Sequence, residues 1–242
     1  MRVGQARVRR VLAGVGVVVV SVAPSTLWAA SDQVPAPATL HVLLTVAPQL
    51  SPASRSELMT EATALWKKAG VRLVWLTASD GSIPLASMLR VLVTQKRSVA
   101  AAPEPPRKSV LGELVSFGRP GALAIVSIDR AEGLVTAARR PDVVREWRHN
   151  DRLGLVLGRV VAHEIGHYLL NTRTHTPSGL MRATFEGAEL VDHRSDTFDL
   201  DAGTTARLLE RVGRGVSLGP AAGAWSESSD PSAAGGAIAR AE

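Results

Sequence analysis

Apolar positions along this chain fall into two kinds of run. The first half has short, β-branched runs broken by polar residues; the second has one long stretch that is apolar on nearly every side. Residues 39–46 (TLHVLLTV) end before Pro48 and predict a first strand. Ser51-Pro52 then predicts a helix over 53–69, with serine as cap and proline in the first turn. Leu58, Ala62, Leu65 and Trp66 share one side of it, and Gly70 closes it. Residues 71–77 predict a second strand, so strand, helix and strand make a βαβ unit with parallel strands. After a turn at 79–81, residues 88–95 predict a third strand. The stretch 100–108 holds three prolines and reads as a solvated loop. Residues 110–117 and 122–128 read as two more strands, joined by Gly118-Arg119-Pro120-Gly121.

The pattern then changes. Residues 129–151 are charged (Arg139, Arg140, Asp142, Arg145, Glu146, Arg148, His149) and read as a solvated helix or loop, with His149 an ordinary surface residue. Residues 153–162 (LGLVLGRVVA) suit a helix buried on all sides. Residues 186–201 are acidic and read as irregular, and 204–212 predict a last helix with Leu208, Leu209 and Val212 facing inward. From Gly213 onward Gly, Ala, Ser and Pro dominate, so 215–242 reads as a disordered tail.

Composition changes the picture chiefly at the N-terminus. Arg2, Arg7, Arg9 and Arg10 precede an apolar run over 11–22, no acidic residue occurs before Asp32, and 27–30 (LWAA) offers small residues for cleavage. This reads as a signal peptide over 1–30 followed by a short lead-in over 31–38; a retained N-terminal anchor is the alternative. Four of the 28 basic residues lie in that leader, which leaves 24 against 22 acidic ones, a net charge of about +2. The basic pI is therefore partly a targeting feature and no argument for nucleic acid. There is no cysteine, so no disulfide staples the fold, although export leads to an oxidising destination. Residues 39–214 are enough for a single hydrophobic core.

Candidate chemistry sits at the end of the buried stretch. His163-Glu164-Ile165-Gly166-His167 is the H-E-x-x-H pattern of zinc metalloproteases. Four residues apart on a helix, His163 and His167 aim at one point, and Glu164 lies beside the first of them. A catalytic zinc takes three protein ligands and leaves the fourth position to water. The third candidate is His175, eight residues after His167; a carboxylate, Glu189 or Glu186 (22 and 19 residues after His167), is the alternative, as in gluzincins.

Two helix histidines, a third soon after, and the turn Ser178-Gly179-Leu180-Met181 resemble the metzincin clan of zinc peptidases, matrixins in particular. The resemblance extends weakly over residues 39–181 through the order of elements. It implies an α+β (α/β) zincin fold: a five-stranded mixed sheet, a first helix, a buried active-site helix and a C-terminal helix after a Met-turn. It also implies Zn2+ on His163, His167 and His175, Glu164 as general base, Met181 beneath the metal without bonding it, and a peptide substrate paired with the edge strand around 110–117. The pattern departs in two places. Leu170 stands where the clan has glycine, with Asn171 as the substitute for the helix-ending turn, and His175 comes two residues late. Matrixin latency through a cysteine has no cysteine to work with, and no tyrosine follows Met181 to assist as in astacins. The expected function is that of an exported zinc endopeptidase, periplasmic or secreted, with no stable membrane insertion. A non-catalytic zinc-binding or scaffold domain is the alternative from another class.

Overall fold

Strand β1 (Ala38–Val46), helix α1 (Pro52–Lys68) and strand β2 (Val71–Leu76) form the expected parallel βαβ unit in the computed structural model. The structure describes residues 38–76, 88–95, 109–115, 122–138, 146–193, 196–213 and 238–240. The leader, the turn at 79–81, the proline-rich loop and the link at 118–121 lie outside these. The described residues belong to one compact unit. Ser51 caps α1 by accepting from the Ser54 amide at 3.1 Å, and Gly70 ends it with φ +77°, a conformation open to glycine at little cost.

Strand β3 (Met88–Thr94) pairs parallel with β1 on its other side. The expected strand over 110–117 is broken at Leu111 into β4 (Ser109–Val110) and β5 (Gly112–Val115). β5 runs antiparallel to β6 (Leu123–Ser127), which is itself parallel to β3. The result is a five-stranded mixed sheet in the order β2-β1-β3-β6-β5, an α+β fold of the expected coarse class. β5 stands at its edge.

Four readings of the sequence differ from the structure. Ile128 opens a helix, α2 (Ile128–Ala137), rather than ending a strand; Ala131, Leu134 and Val135 are buried with it at helical spacing, in a stretch read as charged and solvated. The acidic stretch after Met181 is ordered into β7 (Thr184–Glu186), α4 (Gly187–Leu190) and a 3₁₀ turn at Asp196–Phe198. The organising group is Arg159, almost wholly buried. It donates to the carbonyls of Glu189, Leu190 and Asp192, pairs with Glu61 at 2.8 Å and lies 4.2 Å over the Phe198 ring. A buried guanidinium needs such a full set of acceptors, and it collects them from a loop that has no periodicity of its own. On α5 (Ala202–Gly213) Leu208 is buried but Leu209 is 57% exposed, since neighbouring residues on a helix point about 100° apart. Within the segment read as a tail, Ile238–Arg240 forms a strand, β8, between β4 and β7. Among the described residues no helix is long and apolar enough to cross a membrane.

Helix α3 (Glu146–Leu170) carries the long apolar stretch, and Leu153 through Leu169 is buried without interruption. It packs closely on α1. A Cβ on Gly154 would lie 2.6 Å from the Ser54 carbonyl oxygen, and one on Gly158 2.8 Å from that of Leu58, so small residues set the distance. Trp66 donates from its indole to the Ala162 carbonyl at 3.1 Å, and Ser54 from its hydroxyl to that of Asn150 at 2.9 Å. Both ties clamp the helix that bears the H-E-x-x-H residues.

Candidate metal site

His163 and His167 lie one turn apart on α3, buried among apolar neighbours. Each ring is oriented by a backbone carbonyl. Nδ1 of His163 is 2.7 Å from Leu180 O, and Nδ1 of His167 is 2.8 Å from Thr172 O. A carbonyl oxygen only accepts, so each Nδ1 must be the protonated nitrogen and each Nε2 must carry a lone pair. The two Nε2 atoms face one another at 2.9 Å. Two facing lone pairs repel; a cation between them turns the contact attractive. Burial, then repulsion from His167, pushes His163 well below its usual range, and burial, then repulsion from His175, pushes His167 down to about 4; the hydrogen bonds to the carbonyls work the other way. Both imidazoles are thus neutral at pH 7, the form that ligates metal.

The third histidine arrives by a chain reversal. Asn171 has φ +48°, so asparagine performs the helix-ending turn that glycine performs elsewhere. The Asn171 amide donates to Tyr168 O and the Thr172 amide to His167 O, closing the last turn. The longer loop is braced by Thr172, whose hydroxyl bonds that of Thr174 at 2.7 Å and accepts from the Thr174 amide at 3.1 Å. His175 then stands with its ring centroid 5.3 Å from that of His163 and 5.0 Å from that of His167. Its Nε2 is buried and has no hydrogen-bond partner among the described residues. Burial lowers its pKa as well. One ligand atom from each of the three histidines lies within 4.8 Å of the others. Bonds of about 2.0–2.1 Å at a tetrahedral metal place ligand nitrogens roughly 3.3 Å apart, which falls between the closest pair and the widest spread here.

A tight turn supports this set from below. Gly179 has φ +75°, and a Cβ there would lie 2.4 Å from Asp199 O, so both conformation and space require glycine. The turn presents Leu180 O to His163 and buries Met181. Met181 packs against Gly166 of α3 so closely that a Cβ on that glycine would collide with its sulfur. The Thr176 amide donates to Met181 O at 2.9 Å and closes the loop after His175.

Glu164 is fully buried on α3 beside the histidines. The space for its carboxylate is left by Gly112 of β5, where a Cβ would lie 2.8 Å from Glu164 Oε1 and 2.7 Å from Val160 Cγ1. The structure therefore gathers His163, His167 and His175 around one point, with Glu164 alongside. Neither carboxylate named as an alternative third ligand joins them. Glu186 is exposed, and Glu189 forms an ion pair with Arg182 at 2.5 Å and a reciprocal cap with Glu186. Burial works against the Glu189 charge, but hydrogen bonds from Arg182 and Thr197 hold its carboxyl below the usual range. Four contributors escaped the sequence reading. Gly112 could have been found, since a glycine inside a strand pattern marks a close approach. Phe185, edge-on to His163 at 5.8 Å, and the carbonyls of Leu180 and Thr172 carry no local signal. No family model matches the chain, and no curated protein matches it.

Proposed function

We propose that this protein is an exported zinc-dependent endopeptidase of matrixin-like type. The observation that carries the reading is a set of three convergent neutral imidazoles, two with their tautomer fixed by a carbonyl, next to a buried carboxylate on the same helix. Imidazole donors suit zinc, and backbone carbonyls on the far ring nitrogens are the usual outer shell of such a site. A structural zinc site closes with a fourth protein ligand. Among the described residues no fourth His, Cys, Asp or Glu joins the three, and the chain has no cysteine, so the donor set favours an open, catalytic position.

Zinc held there is a Lewis acid that lowers the pKa of water to about 7. The rest of the work belongs to residues of the chain. His163, His167 and His175 would hold it as neutral ligands that leave its charge intact. Glu164 takes the proton of the attacking water and passes it to the departing amine, which cannot leave as an anion. Gly112 keeps room for that carboxylate, and the adjoining edge strand offers backbone groups to an extended substrate. Met181 and Gly179 hold the floor of the site, as a Met-turn would.

The test is metal content and peptide hydrolysis of the purified protein beside Glu164→Gln. The variant is expected to bind zinc as tightly as the wild type and to hydrolyse peptide ~10²–10⁴-fold more slowly. Rates within a few-fold of each other would remove the general-base role, and zinc binding without any hydrolysis would leave a binding domain. Export rests on the basic, then apolar, leader. Amino-terminal sequencing of secreted material is expected to start near Ala30, and an intact Met1 in a membrane fraction would make the leader an anchor.

A further inference from the structure

Three residues from the far end of the chain lie between the two strands that flank the metal site. β8 is antiparallel to β4, with Ala239 opposite Ser109 and Ile238 opposite Val110. On its other edge it is parallel to β7, with Ile238, Ala239 and Arg240 opposite Thr184, Phe185 and Glu186. Both neighbours lead straight to the site. Two residues past Val110, Gly112 packs on the Glu164 carboxylate. In β7, Phe185 stands edge-on to His163. The rim itself is fixed from outside, because Arg130 of α2 donates to the Val110 carbonyl.

A backbone slot with a strand on each side accepts an extended segment by main-chain hydrogen bonds, whatever its side chains. A peptide lying along β4 on its way to Glu164 would occupy that slot. A segment of the same chain has the advantage there: 24 residues separate Gly213 from Ile238, and tethering over such a span gives an effective concentration in the millimolar range. The segment between is rich in Gly, Ala and Ser, a composition that binds little by itself.

We propose that Ile238–Arg240 is a plug in cis: it fills the extended-peptide slot between β4 and β7 and holds the protein in a self-inhibited state until it is displaced or removed. This rests on the peptidase reading for what the slot is for, though not for whether the tail fills it.

The absence of cysteine makes a clean test possible in the full chain. Val110 and Ile238 are direct partners across antiparallel strands, where Cα atoms lie about 4.5–5.5 Å apart, within disulfide range. Val110→Cys with Ile238→Cys, in a Glu164→Gln background, is expected to form an intramolecular disulfide. A fluorescent peptide of residues 233–242 is expected to bind the reduced protein at least tenfold more tightly than the oxidised one, read by anisotropy. Ala239→Pro, which removes a backbone donor from the middle of β8, is expected to raise affinity for the same peptide at least tenfold over Glu164→Gln alone. With Glu164 restored, peptide hydrolysis is expected to rise in the same order. Failure of the disulfide to form, or equal peptide binding by oxidised and reduced protein, overturns the plug. Binding that follows the expected order while no variant hydrolyses peptide supports the plug and counts against the peptidase reading instead.

Discussion

Asn171 shows how one residue can stand in for another when backbone conformation is what matters. Its φ of +48° turns the chain back toward α3, and His175 reaches the site only because of that reversal. Asn171→Gly is expected to bind zinc like the wild type, since glycine enters this conformation without steric cost. Asn171→Val is expected to lose roughly 1–2 kcal/mol in urea unfolding and to weaken zinc binding, because a β-branched side chain resists positive φ. Equal stability of the two variants would mean that the reversal does not depend on this residue. The same logic governs Leu180, whose contribution is a carbonyl. Any substitution that keeps the Gly179 turn leaves the oxygen where His163 needs it.

Among the elements, the α1–α3 pair does most to hold the site rigid. Without side chains at Gly154 and Gly158, backbones approach closely enough for Trp66 to reach the Ala162 carbonyl, one residue before the first metal-ligand candidate. Gly158→Ala places a Cβ 2.8 Å from the Leu58 carbonyl oxygen, an atom fixed in a helix. The expected cost is about 1–3 kcal/mol of overpacking, checked by the urea midpoint. The shift in α3 should also weaken zinc binding. An unchanged midpoint would mean that the two helices can part without loss.

For the whole molecule, a metal ion at this site would link binding to folding. Two buried histidines of α3 and the half-buried His175 of the following loop come together only in the folded chain, so a metal ion held by all three would favour that state. At free zinc ~100 times Kd the linkage is worth about 2.7 kcal/mol. Removing metal with a chelator is therefore expected to lower Tm by roughly 5–10 °C, and adding back zinc should restore it. A melting curve indifferent to metal would show that the histidine cluster is not a binding site.

The sequence by itself determined the elements with a period and the residues with a fixed local spacing. β1, α1 and β2 follow from β-branched runs, a Ser-Pro cap and a closing glycine. His163, Glu164 and His167 follow from the 3.6-residue repeat, and Asn171 was legible as the helix-ending turn. Tertiary structure decided whatever depends on partners far apart in the chain. It split the edge strand at Leu111, and it turned residues 128–137 into a helix because their apolar face packs beside α3. Order in the segment after Met181 comes from Arg159, whose buried charge requires carbonyls some 30 residues away. Local periodicity says nothing of such a demand. It is equally silent on which edge a short, Ala-rich segment near the C-terminus joins: three residues carry too little pattern to specify a strand, and only the two backbones at β4 and β7 give Ile238–Arg240 a place.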